Sequence, residues 1–361
     1  MRRLALVALL AAVVTVPAAA QESPTATTLA AFRGTVLGVA QDARSIAWLQ
    51  WSPDGCFLRI RARGAKTTKT VRYAATCNPL FHDLLLDRGR AIWTGDDEVI
   101  CGKTYATVYA YAGARPRLVQ KLPRDCLGFG PSLRGVVSDG HAFYYNVFKT
   151  TRPPAASQCG DLGGLCQWKL GGGQIYRLDG TKRVPLRGLP PTMMFAVNSG
   201  RVVLVQPLTE FAGNSSAGWP RPVRNGRVEV RDVATGRLES FFRPQGLVRS
   251  VELTPTSALV LVEYNGLRTV ESYEVRSGRH LRSVTAPVSL RRLPPTGTLV
   301  AFPLNYQVSV FDVSTGKRWV AARTRFNTVG LSISDGWVAW GENHNKFARI
   351  VIARGLLSGR S

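Results

Sequence analysis

The stretches Val230-Arg-Asp-Val-Ala-Thr-Gly-Arg237, Ser272-Tyr-Glu-Val-Arg-Ser-Gly-Arg279 and Val310-Phe-Asp-Val-Ser-Thr-Gly-Lys317 spell nearly one phrase three times. Their turn glycines, Gly236, Gly278 and Gly316, recur with a period of about 40 residues. Alternating apolar residues precede each turn and a further strand follows it. Such a period, with strands on both sides of a Gly turn, marks stacked β-sheet blades rather than a single sheet. Residues 248 to 287 show the whole unit. Val248 to Leu253 alternates and Ala258 to Val262 is unbroken apolar sequence. Val270 to Val275 alternates again, and His280 to Val284 closes the unit. Alternation marks half-buried strands and the unbroken run a strand covered on both faces, as in a blade sandwiched by its neighbours.

The second strand of the unit is the easiest to follow along the chain. It reads Asp42-Ala-Arg-Ser-Ile-Ala-Trp48, Asp87-Arg-Gly-Arg-Ala-Ile-Trp93, Ser138-Asp-Gly-His-Ala-Phe-Tyr144 and Asn198-Ser-Gly-Arg-Val-Val-Leu204. It returns as Thr256-Ser-Ala-Leu-Val-Leu261, Pro295-Thr-Gly-Thr-Leu-Val-Ala301 and Ser334-Asp-Gly-Trp-Val-Ala-Trp340. The expectation is therefore an all-β, seven-bladed β-propeller of four-stranded antiparallel blades, with six or eight blades as the tolerance of the count. The last unit lacks a fourth strand, while Thr28-Leu-Ala-Ala-Phe32 is a spare strand before the first unit begins at Thr35. That segment should complete the seventh blade and remove the open edges of the arc. Tryptophans Trp48, Trp93, Trp337 and Trp340 fall in second strands, where packing between blades accounts for them.

Residues 1–20 read as a secretory signal: Arg2 and Arg3, an apolar run from Leu4 to Val16, and small residues up to a cleavage point between Ala20 and Gln21. The run is too short to span a bilayer comfortably, and no later segment reaches transmembrane length. The reading is a flexible N-terminus at 21–27, a propeller over 28–354, a tail at 355–361, and a secreted or extracytoplasmic monomer in the periplasm or at the cell surface. Six cysteines in an exported chain point to disulfides. The blade register brings Cys56 to Cys77 and Cys101 to Cys126, at neighbouring ends of third and fourth strands, and leaves Cys159 with Cys166.

The formal net charge is +24. It suits a polyanionic partner, although the basic residues are spread along the chain rather than clustered. No Gly-x-Ser-x-Gly elbow, phosphate loop, His-Glu-x-x-His or calcium loop occurs, and no cofactor is indicated. The four histidines are scattered. His141 and His344 lie at strand ends or turns. Asp96-Asp97-Glu98 follows Thr94-Gly95 and reads as a solvated hairpin tip. Asn214-Ser-Ser216 matches a glycosylation acceptor only for a host that glycosylates exported proteins.

Asp312-Val-Ser-Thr-Gly-Lys317 resembles the blade turn of quinoprotein-like and YVTN repeats, and Trp51-Ser-Pro-Asp-Gly55 is similar to TolB-like and WD-repeat blades. The resemblance covers most of residues 28 to 354 and implies the fold alone. The vicinal cysteines of quinoprotein dehydrogenases, the Asp boxes of sialidases and the Gly-His/Trp-Asp pairs of WD repeats are all missing.

The pattern is interrupted twice, at 150–173 and 207–225, between second and third strands of consecutive units. Those links emerge on one face of the ring, so the two insertions should lie side by side. They carry Trp168 and Trp219, with Arg152, Lys169, Arg221 and Arg224 nearby, a set suited to an anionic polymer, a carbohydrate or another extracytoplasmic protein. The function expected is a binding or interaction module using that face. The alternatives are a lactonase- or hydrolase-like enzyme with a channel site, for which the first strands offer Asp83 and Glu252, and non-specific polyanion binding through charge.

Overall fold

The computed structural model describes residues 26–77, 83–97, 104–124, 130–150, 166–168, 170–180, 182–192, 194–206, 211–213, 220–222, 227–290, 292–293, 297–324, 326–345 and 347–353. These form seven radial antiparallel sheets, the blades of a β-propeller, and an eighth small sheet outside them. The first blade is Thr35–Gln41, Ser45–Ser52, Gly55–Ala62 and Lys69–Ala74, and the second Leu84–Asp87, Arg90–Asp97, Thr104–Tyr111 and Arg117–Arg124. The third is Gly130–Ser138, Phe143–Thr150, Leu170–Asp179 and Lys182–Pro185, and the fourth Phe195–Asn198, Arg201–Val205, Val228–Asp232 and Leu238–Phe242. The fifth is Leu247–Leu253, Ser257–Tyr264, Leu267–Glu274 and His280–Ala286. In the sixth, three strands are described: Leu299–Leu304, Gln307–Asp312 and Arg318–Arg323. Ahead of them along the chain, Leu290 and Leu293 are buried in one cluster with Val300 and Phe302.

The seventh blade is Thr328–Ser334, Trp337–Asn343, Ala348–Ala353 and, outermost, the N-terminal strand Ala26–Phe32. The closing strand begins at Ala26 rather than Thr28 and pairs Ala26 with Ala353 through to Phe32 with Ala348. First strands touch first strands around the ring: Thr35–Gln41 meets both Thr328–Ser334 and Leu84–Asp87, and contact continues through Gly130–Ser138 and Phe195–Asn198 to Leu247–Leu253. The first strands therefore surround the axis. Those of blades one, three, five and seven carry a bulge at corresponding places, such as Arg134/Val136 and Val329/Leu331, which adds the local twist a tight ring needs.

The repeated phrase now has a physical explanation. Asp232 and Asp312 each accept bonds from the backbone N–H groups just after them, closing the turn between third and fourth strands. The valine that follows is buried (Val233, Val275 and Val313), and its N–H donates to the turn joining the first two strands of the same blade. Gly278 has φ 69° and lies against the Phe241 carbonyl of the preceding blade, so a side chain there would strain the backbone and collide. Gly236 lies likewise against backbone of Arg187 and Gly188 after blade three, and Gly316 against the Val284 side chain of blade five. Each phrase thus shapes its own turn and docks it on the neighbour.

Two expectations need correcting. Thr94-Gly95-Asp96-Asp97 is not a turn: the second strand runs on to Asp97, pairing Gly95 with Thr107 and Asp97 with Tyr105, and the Thr107 hydroxyl donates to the Gly95 carbonyl at 2.8 Å. The first insertion also ends sooner than Gly173, because strand Leu170–Asp179 already pairs Gly172 with Lys149. Trp48, Trp93 and Trp340 are fully buried between blades as expected.

Candidate functional site

Antiparallel blades put all links between second and third strands, and all links from one blade to the next, at one end of the ring. Both insertions rise from that end. From blade three comes the short strand Cys166–Trp168, and from blade four come Phe211–Gly213 and Pro220–Pro222. These three form one sheet. Trp168 pairs with Phe211 and Phe211 with Pro222, while Gln167 pairs with Ala212 and Ala212 with Arg221. Trp168 and Arg221 therefore sit in neighbouring rows on opposite sides of one central strand. Arg152, Lys169, Trp219 and Arg224 lie outside the described residues. So do Asp96 and Asp97 beyond their backbone, Cys101, Cys126, Cys159 and the signal segment with Ala20 and Gln21. Cys56 and Cys77 are joined, tying blade one's third strand to the link entering blade two.

The same end of the ring presents large apolar side chains. Tyr264 and Leu267 flank the hairpin of blade five at 63% and 68% exposure, and Tyr306 tips that of blade six at 69%. Val288 projects from the link between those blades, Phe347 from the hairpin of blade seven, and Trp51 from blade one. Phe326, His344 and Phe347 form a cluster, with ring centroids 4.6 Å apart for Phe326–His344 and 4.9 Å for His344–Phe347. Arg349 lies over Phe326 at 5.5 Å. The other exposed large apolar residues, Leu118, Leu238, Phe241, Leu281 and Val320, are all on outermost strands. Among the described residues, none tips a turn at the opposite end, where Asp42, Asp139, Asp232 and Asp312 organise polar turns. The two ends thus differ in chemistry. Sequence reasoning missed this aromatic rim; its signal was the run of aromatics beside Asn-containing turns, as in Tyr264-Asn-Gly and Asn305-Tyr306.

A second constellation stands in the channel. Arg292, just before the first described strand of blade six, donates from Nη1 to Asp83 Oδ1 beside the first strand of blade two at 2.5 Å. Blades seven and one separate those two blades around the ring, so this contact crosses the lumen. Glu252 belongs to the inner strand of blade five. Its neighbours Val251 and Leu253 pack into the core against blade four, and alternation turns Glu252 the other way, toward Arg292. Burial pushes the Glu252 carboxyl well above the usual carboxylate range, with the Arg292 guanidinium opposing. The Asp83 carboxylate raises the Arg292 guanidinium further, against the effect of burial. Arg292 also stays 74% accessible while standing deep among protein atoms, the combination a solvent-filled lumen produces. The structure thus places Asp83 and Glu252 around one arginine. Among the described residues, no group of three His, Cys, Asp or Glu side chains is placed to hold a metal ion.

No family model and no curated protein matches this chain. Among solved structures, it is similar to TolB from Acinetobacter baumannii at 14% identity and TM-score 0.39, covering 70% of this chain and 55% of that one. It is similar to the Dos1 propeller at 11% and 0.46, covering 91% and 96%, and to Kluyvelomyces marxianus Hsv2 at 8% and 0.45, covering 85% and 88%. At these scores the architecture rests on the strand pairings described above. No helix among the described residues is long and apolar enough to cross a membrane.

Proposed function

We propose that this protein is an exported, monomeric binding module that engages an extended acidic polysaccharide through the end of the ring carrying the insertions. The observation that carries the reading is the three-stranded sheet built jointly by blades three and four, in which Trp168 pairs with Phe211 and Arg221 with Ala212. A loop that exists only to join two strands has no reason to pair with the loop of the next blade; long loops on a rigid scaffold are where recognition resides. The aromatic rim on blades five, six, seven and one supports the reading. Flat rings suit sugar faces, and the formal charge of +24 suits carboxylates. The disulfide Cys56–Cys77 is in keeping with an oxidising compartment.

The test is a binding screen of acidic and neutral glycans, nucleic acids and wall polymers at two salt concentrations. Wild type is compared with Trp168→Ala/Trp219→Ala and with Tyr264→Ala/Tyr306→Ala. An acidic glycan should bind, and the first double variant should weaken it by at least about tenfold. Salt-sensitive binding to every polyanion, unchanged in both variants, would mean attraction by net charge and no recognition face.

A further inference from the structure

We propose that the lumen of the ring is a separate binding site for a small organic carboxylate, gripped by Arg292. A guanidinium has five N–H donors in a planar fork. Asp83 takes one of them at 2.5 Å and fixes the group in position, and at 74% accessibility the remaining donors face the lumen. An arginine held by one carboxylate on its flank and open elsewhere is pre-organised for a bidentate anion, because its side-chain entropy is already spent. The ion pair also joins two non-adjacent blades, so the guanidinium stands across the passage rather than along a wall.

Glu252 lies within electrostatic reach of the same guanidinium. Burial makes this carboxyl keep its proton to higher pH than an ordinary glutamate, which lessens its repulsion of an oxyanion held by Arg292. The positive guanidinium disfavours a cation there. A carboxylate receives two parallel bonds from the fork. This site is distinct from the polymer surface at the end of the ring.

Titration calorimetry of the purified protein with succinate as probe, and inorganic phosphate in parallel, tests the assignment. Succinate should bind saturably, one per chain. Arg292→Gln should weaken it by about tenfold to a hundredfold. Glu252→Gln, which keeps the shape and removes the titrating group, should stay within about threefold of wild type. Should Arg292→Gln not fold, Arg292→Lys keeps the charge beside Asp83 without the planar fork and should cost about tenfold. Absence of saturable succinate binding, phosphate binding in its place, or equal binding by both arginine variants and wild type each overturns the proposal.

Discussion

A carboxyl whose acidity is suppressed by burial binds its proton more tightly in the folded chain than in the unfolded one. Glu252 is such a group. Between the ordinary glutamate range and its raised folded value, the native state holds more protons than the unfolded chain, so stability falls as pH rises through that window. Its full contribution is present only below the ordinary range. Asp139, Asp312 and Glu263, held low chiefly by hydrogen bonds, act in the opposite sense and lose their contribution on acidification. Comparing Glu252→Gln with wild type isolates the single group. From mildly acid to neutral pH the wild type should lose more thermal stability than the variant; parallel curves would mean that Glu252 titrates as an ordinary glutamate. Glycine offers a second contrast at this scale. Gly278→Ala adds a methyl at φ 69° against the Phe241 carbonyl and should cost about 3 kcal/mol by denaturant unfolding. Gly266→Ala, at φ 78° in open space, should cost only about 1 kcal/mol, and equal losses would show that inter-blade docking contributes nothing.

Among the strands, what could be read in advance was what local chemistry dictates. The Asp–Val–Gly phrase was legible because its carboxylate, its buried valine and its glycine each have a separate duty within a few residues. The closing strand was legible because the last unit visibly lacked one. Thr94 to Asp97 misled because Thr-Gly-Asp favours a turn on its own; the neighbouring strand Thr104–Tyr111 overrides that preference by pairing with it throughout. Arg292 could not be matched to Asp83, which lies 209 positions away, until the ring brought blades two and six to face each other. The pairing of the two insertions was legible only as adjacency, since no alternating pattern announced three-residue strands. The closing strand also carries a prediction. Besides its ladder to Ala348–Ala353, it stacks Phe32 on Trp48 at 6.4 Å, and its Leu29 carbonyl accepts from Arg61 at 2.7 Å, so it binds both the last blade and the first. Deleting residues 21–33 should lower the melting temperature by about 10 °C or more, and an unchanged transition would show that the ring closes without it.

Among the described residues of the whole ring, the seam between the first and last blades is the most heavily hydrogen-bonded by side chains. Val36 and Asn343 exchange two bonds, at 2.8 and 2.9 Å, and Gln41 donates to the carbonyls of Ser332 and Trp337. Arg63 adds a bond to the Ser334 carbonyl and lies 5.0 Å over the Trp337 ring. That investment has a consequence in time. Among the described strands Ala26–Phe32 comes first along the chain, yet its partner Ala348–Ala353 comes last. Through the synthesis of six blades the opening strand has no ladder to join, and blade one has no neighbour on its leading side. Native completion therefore waits on the contacts with the greatest separation along the chain, where the entropic cost of closure is highest. The emerging polypeptide stays an unlatched arc until Ala348–Ala353 appears.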